Sequence, residues 1–582
     1  MSPRYHLNDG PYRQSDPSGC IEINGTWFVF PDGSGNTAGG FSLYTSRDLV
    51  HWTRRPTNKG FSETGGIGVT DAGLAVTFGG GFSSTDLRTD PYMANWSDHG
   101  NCNTPVAAGG LGDGDPHHAH GMGNKNVFRN GDPARPFKYR EEWYIVLGAG
   151  KNATHSKGHP WGAMPDCPLC NNPWIQGELR LFKATNASLR DWHFVNTIFA
   201  TNQTFGRTMH NDNTWASEMR DCPTCPMHSV SNMFECPDFF PIGPDGHWMF
   251  VTSKIMEGGS WVTGGQHHWD EYYIGTFDGR SFTPDMTTPG ATGVLDYGYV
   301  AAGKTGGNAA NDPMGRRVFF GWNMPWSRQG LRGAEGPWRR RQLLAADGEG
   351  ATTPSPGPAW PIMEAFGSQV LPRDLSLFPD GSLKMVPVPE LASLRKGAGA
   401  ADHYAVARGR AKPTACLPVR GRQLEVSFSI LVGTTSTADR GDGAGLPAAA
   451  SVSVLGSPDG RERTLIGANA THLIVNQMNS TLTPDLTPVE LTKVTYFWDM
   501  AAVANHTILH APLPPGKNHT VRAFLDGYNL EVFCDDRVAI STNLFPTLTE
   551  STCVGVETAG GGSVGGLEVW ALGPAPITGI AP

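Results

Sequence analysis

Short runs rich in aromatic and β-branched residues, each closed by Gly, Asp or Asn, recur along the first two thirds of the chain. Examples are "GTWFVF", "GLAVTF", "EEWYIVLGAG", "GHWMFVTS", "DEYYIGTF" and "RRVFFGW". Such runs are strand signatures, and their polar, glycine-bearing borders are turn signatures. No convincing helical periodicity lies between them, so a parallel sheet built from strand–helix–strand units is disfavoured. With 74 Gly and 45 Pro in 582 residues, turns are frequent enough to serve many short strands. The spacing fits repeated strand meanders arranged around a channel, as in a propeller.

After "TTPSPGPAWP", the stretch "QVLPRDLSLFPDGSLKMVPVPEL" still reads as a hairpin, so the boundary falls near "LASLRKGAGA". Beyond it, "QLEVSFSILV", "ASVSVLGS", "KVTYFWDM" and "TVRAFLDGYNLEVFCDDRVAISTNLFP" alternate with period two, and "CDDR" is the turn of a hairpin. The expected organisation is all-β: a propeller over 1–391, a linker over 392–401 and a β-sandwich over 402–582.

Charged residues are 17% of the chain and the net charge is -9, which argues against nucleic acid as a partner. No run of about 18 apolar residues is present, so a membrane partner is not expected either. The opening "MSPRYHLNDG" lacks the apolar core of a leader. Nine Asn-x-Ser/Thr sequons, at Asn24, Asn95, Asn152, Asn186, Asn202, Asn469, Asn479, Asn505 and Asn518, point to a secreted or vacuolar-type protein whose leader is absent from this chain. Two pairs, "CPLC" (Cys167, Cys170) and "CPTC" (Cys222, Cys225), are read as disulfides in that setting, with a structural zinc site or free thiols as the alternatives. No cysteine is expected to be catalytic.

Paired carboxylates in turn-like settings give the candidate chemistry. In "YHLNDGPYRQSDPSGC", Asp16 stands directly before a strand, whereas Asp9 does not. Glu235 in "FECPDFF" has Phe234, Phe239 and Phe240 nearby, and desolvation by such neighbours would raise its pKa and suit a general acid. Asp132 in "GDPARPF" again precedes a strong strand; Asp115 in "GDGDPHHAHG" is its rival but lacks that strand.

The ordered series "SDPSG", "SRDLVHW", "GFSETGG", "GDPARPF", "FECPDFF", "DYGYVAAGKT", "VFFGWNMPW" and "VLPRDLSL", ending in the hairpin "FLDGYNLEVFCDDRVAISTNLFP", resembles glycoside hydrolase family 32. That family contains invertases, inulinases and fructosyltransferases. The resemblance implies a five-bladed β-propeller followed by a C-terminal β-sandwich. It implies cleavage of β-fructofuranosides, sucrose or fructans, with Asp16 as nucleophile, Glu235 as acid/base and Asp132 as transition-state stabiliser. Asp32, Phe61, Ser62, Arg135 and Trp322 become candidate sugar contacts, and no metal or organic cofactor is implied. A fructosyltransferase shares the same covalent intermediate and is the alternative; a non-catalytic carbohydrate-binding relative and an arabinanase-like enzyme are the weaker ones. The chain departs from the family pattern at Ser15 and Ser18, which replace asparagines, at Asp32, which replaces glutamine, and at Gly131, which replaces arginine. Arg129 and Arg135 are the candidates to supply the missing guanidinium.

Overall fold

A computed structural model describes residues 3–8, 14–33, 40–58, 65–78, 82–100, 132–152, 174–200, 233–257, 266–298, 300–308, 312, 314–323, 367–397, 399–406, 410–412, 414–432, 448–482, 508–514, 516–544, 546–558 and 562–579. Among these the protein is nearly all β. The one helical segment among them is a 3-10 turn at Pro389–Leu394.

Four antiparallel sheets precede that turn. The first runs Gln14–Ile23, Thr26–Gly33, Leu43–Ser46, Thr53–Arg55, with Gly40–Phe41 alongside the second strand. The second is Ile67–Val69, Leu74–Thr77, Ser83–Asp86, Ser97–Asp98. The third is two meanders joined at one backbone pair, Gly150 with Met233. One contains Glu142–Asn152, Trp174–Ala184 and Trp192–Ala200; the other contains Met233–Ile242, His247–Glu257, Gln266–Phe277 and Phe282–Pro284. The fourth is Val300–Gly306, Arg317–Asn323, Arg373–Leu377, Leu383–Pro387. Some neighbouring strands are joined by tight turns, as between Gln14–Ile23 and Thr26–Gly33 and between Met233–Ile242 and His247–Glu257, where Gly- and Asp-bearing borders anticipate them.

Some main-chain segments approach closely. A Cβ at Gly148 would stand 2.1 Å from the carbonyl oxygen of Phe234, and one at Gly66 would stand 2.0 Å from that of Ala134. Only glycine allows those approaches.

After the 3-10 turn, two further antiparallel sheets face each other. One is ordered His403–Ala405, Ser563–Ala571, Gln423–Leu431, Asn518–Asp526, Asn529–Cys534, Val538–Asn543. The other is Ile508–Pro512, His472–Asn479, Arg463–Ala468, Ala450–Gly456, Cys553–Thr558. Val426, Phe428, Val452, Ile466, Val475 and Val532 fill the core between them. The anticipated turn at "CDDR" is present: between the paired Cys534 and Val538, Asp535 and Asp536 have left-handed φ of 53° and 56°, and the Arg537 N–H donates to the Cys534 carbonyl at 3.0 Å. The disulfide Cys416–Cys553 ties the second sheet's edge strand to the segment leading into the first; the sequence reading had singled out other cysteines. Those four, with "KVTYFWDM", lie outside the described residues.

The two groups of sheets share a core. Val318, Phe319 and Leu375 pack with Phe524, Phe533 and Leu572, together with Tyr5 and Leu7 from the chain's start. A buried ionic network runs through the same seam. The backbone N–H groups of Tyr5 and His6 donate to Asp526, His6 bridges Asp526 and Glu531 at 2.9 Å each, and Arg373 reaches Glu531 and Asp296 at 2.8 Å each.

Candidate active site

Asp16 lies in Gln14–Ile23, and its surroundings in the ladder are irregular. Gln14 pairs with Gly33, Pro17 with Pro31 and Cys20 with Val29, so one extra residue is inserted on each side of Pro17. Two proline- and glycine-bearing bulges in succession re-aim the strand and leave Asp16 half-buried instead of locked in a regular pleat. Ser18 adds a local hydroxyl contact to the Asp16 carbonyl at 3.4 Å.

Glu235 sits on the same device. It pairs with Ser253, while Asp238 pairs with Val251, so Met233–Ile242 also carries one extra residue, with Cys236 at φ 46°. The Glu235 carbonyl accepts the Thr252 hydroxyl at 2.9 Å, and its side chain is half-buried. The bulge turns Cys236 towards the first sheet, where its Sγ stands 3.9 Å from Asp16 Oδ2. The structure thus brings the two boxes together across 220 residues.

The phenyl rings expected to desolvate Glu235 are committed elsewhere. Phe234 and Phe239 pack in one core and Phe240 in another, where it lies under the Arg317 guanidinium at 4.1 Å. The pleat sends sequence neighbours to opposite faces, so adjacency in the chain does not make them a pocket around Glu235.

Asp132 begins the short strand Asp132–Pro133, which pairs with Gly148 and Leu147. What fixes this segment was not anticipated from sequence. Lys304 is 4% exposed, and its Nζ donates to the Pro133 carbonyl at 3.2 Å and the Pro237 carbonyl at 2.9 Å. One buried ammonium therefore joins the Asp132 and Glu235 segments. A lysine inside the otherwise apolar run "YVAAGKT" was the available signal.

Arg135 performs a similar task. Its guanidinium donates to the Gly307 carbonyl at 3.0 Å and to that of Asn308, and Gly307 also accepts the Glu22 N–H at 2.9 Å. Burial, with Arg317 close by, draws its pKa down to about 9. Its guanidinium holds the main chain where the Asp16 strand, the Asp132 loop and Val300–Gly306 converge.

Two buried carboxylates complete the surroundings. Asp238 accepts the Thr305 N–H at 2.8 Å and its hydroxyl at 2.5 Å. Asp270 is fully buried, accepting the Gly303 N–H at 3.1–3.2 Å and the Ser253 hydroxyl. Burial pushes it up to about 7; those hydrogen bonds oppose the rise, while the charges of Asp296 and Asp16 add to it.

Trp322 is buried on Arg317–Asn323 opposite Ala301. Asp32 pairs with Phe41 in the backbone ladder. The side chains of Asp32 and Asp132, and all of Phe61, Ser62, Asp9, Asp115 and Arg129, lie outside the described residues.

Residues 175–345 match the glycosyl hydrolases family 32 N-terminal domain, and residues 390–571 match the family 32 C-terminal domain. The chain is 25% identical over 352 residues to the extracellular exo-inulinase inuE of Aspergillus niger, an alignment covering 56% of this chain and 57% of that protein. It is 24% identical over 573 residues to a levanase of Bacillus sp., covering 94% of this chain and 49% of the levanase. The chain thus spans about half the length of these curated relatives. Its fold is that of fructan 1-exohydrolase IIa from Cichorium intybus, with a TM-score of 0.65 at 16% identity over 100% of this chain and 98% of that one. Matches to both domains of one family, in a chain whose Asp16 and Glu235 segments meet, lead to one conclusion: the chain belongs to glycoside hydrolase family 32.

Proposed function

We propose that this protein is a retaining β-fructofuranosidase that cleaves sucrose or fructans. The observation carrying this reading is the approach of Cys236 Sγ to within 3.9 Å of Asp16 Oδ2, which sets the Glu235 segment beside the Asp16 carboxylate. In this reading Asp16 attacks the anomeric C2 of the fructosyl unit while Glu235 protonates the departing oxygen. Glu235 then takes a proton from the water that hydrolyses the fructosyl ester. Asp132 holds ring hydroxyls by charge-assisted hydrogen bonds. Asp32, Phe61, Ser62 and Trp322 shape the sugar pocket, and Arg135 positions the Asp132 loop from behind. The carboxyl groups of Asp16 and Glu235 then lie about 5–5.5 Å apart, as a retaining pair requires.

The architecture in this reading is a five-bladed propeller over 1–391, a linker over 392–401 and a β-sandwich over 402–582. The five successive meanders and the two facing sheets support it. Secretion is supported by the Cys416–Cys553 disulfide and by exposed sequon asparagines such as Asn24, Asn186 and Asn479.

Incubation with sucrose, inulin and levan, followed by chromatography of the products at low and high sucrose, tests the proposal. Free fructose from at least one substrate is expected, and its loss in Asp16→Ala. Longer oligosaccharides at the expense of free fructose would replace hydrolysis by transfer. No turnover of any β-fructoside would remove the reading.

A further inference from the structure

A cluster on the sheets after the 3-10 turn has the chemistry of a metal centre. His519 is on Asn518–Asp526, Cys534 ends Asn529–Cys534 and Asp535 opens the turn that follows. Val521 pairs with Cys534, so His519 and Cys534 fall on the same face near the sheet's end. Both are buried, whereas the Asp535 side chain keeps 25% of its exposure. The left-handed turn folds the Asp535 carboxylate back over them. Its Oδ1 accepts the Thr520 N–H at 2.8 Å, and its Oδ2 lies 2.7 Å from His519 Nδ1. One ligand atom from each of the three residues lies within 4.8 Å of the other two.

We propose that His519, Cys534 and Asp535 form a zinc site, with Nδ1, Sγ and a carboxylate oxygen as ligands and water completing the tetrahedron on the exposed side of Asp535. Nitrogen, sulfur and oxygen donors together suit zinc better than calcium or magnesium, which prefer oxygen alone. Zinc is held by the thiolate form of cysteine, so uptake at Cys534 exchanges the thiol proton for the metal, with no redox change. His519 Nε2 is buried with no hydrogen-bond partner among the described residues, so the imidazole's directed bond is the one to Asp535.

The test uses the full chain, stripped with a chelator and with its disulfide intact. It is titrated with Co²⁺, read by thiolate-to-cobalt absorption in the near ultraviolet, then with Zn²⁺, and bound metal is counted per chain. Because the chain has other cysteines, the readout is the difference between wild type and variant. Cys534→Ser is expected to bind one equivalent fewer and to lose the matching absorption. His519→Gln is expected to weaken that same equivalent at least tenfold. Equal stoichiometry and equal absorption in wild type and Cys534→Ser would overturn the site and leave Cys534 as a core thiol. Should Cys534→Ser fail to fold, Asp535→Asn decides: asparagine tolerates the left-handed turn, and unchanged binding there overturns the proposal equally.

Discussion

Lys304 places its ammonium 2.9 Å from the carbonyl oxygen of Pro237, in a position almost without solvent. With its second bond to Pro133, it holds the Glu235 bulge against the Asp132 segment. Lys304→Met keeps the length and apolar stem but leaves both carbonyls without this donor. The expected cost is about 1–3 kcal/mol of stability, with kcat/KM on sucrose or inulin falling at least tenfold. Urea unfolding and steady-state kinetics measure the two effects; full activity in this variant would show that the strut does not position the site.

In the proposed mechanism, Glu235→Gln separates acid catalysis from binding. On natural fructosides the loss should be roughly 10²–10⁴-fold, the usual scale for a positioned acid. On a fructoside whose leaving group needs no proton the first step should be largely spared, with a burst of released leaving group. Asp16→Ala should abolish turnover on both. Equal losses on both substrates would take Glu235 out of the acid role.

His6 governs stability on the alkaline side. Burial alone would strip its proton, but hydrogen bonds to Asp526 and Glu531 outweigh burial and raise its pKa from 6.5 to about 9. A raised folded-state pKa means that the folded state holds an extra proton between these values. The contribution is therefore complete below about pH 6.5 and is lost as pH rises through 9. Its size is on the order of 3 kcal/mol at 1.36 kcal/mol per pKa unit. Unfolding midpoints at half-unit steps from pH 6 to 9.5 should fall for wild type and vary much less for His6→Gln. Parallel curves would contradict the assignment.

Asp270 behaves in the opposite chemical sense with the same slope. Its pKa, pushed up to about 7, leaves the folded state holding a proton that the unfolded chain has lost above its ordinary carboxyl range. Stability is therefore drawn down as pH rises from about 4 to 7. Asp270→Asn, which still accepts the Gly303 N–H, should stabilise by roughly 1–3 kcal/mol at pH 8 and less at pH 5. A stability difference that does not grow over that interval would show that Asp270 is ionised throughout.

The Cys416–Cys553 bond joins positions 137 residues apart. Cys416→Ser should cost about 2–5 kcal/mol, and reduction should lower the stability of wild type by more than that of the variant. Thermal melts with and without reductant check this.

Much of the fold was legible because its signals are local. Strand runs such as "GHWMFVTS" and the "CDDR" turn follow from β-branched and aromatic residues and from left-handed turn chemistry, and each lies where the sequence indicates. The Asp-Pro and Glu-Cys boxes were also legible, since each is a short segment at a strand. Three features were decided by tertiary structure. Bulges around Asp16 and at Cys236 depend on register with a partner strand, which one strand cannot reveal. The rings flanking Glu235 went to separate cores because packing chooses faces, not neighbours. Lys304 and the His6–Asp526–Glu531–Arg373 network join groups from 67 to 525 residues apart. A buried charge is stable only where its partners converge, and that convergence exists only once the chain has folded.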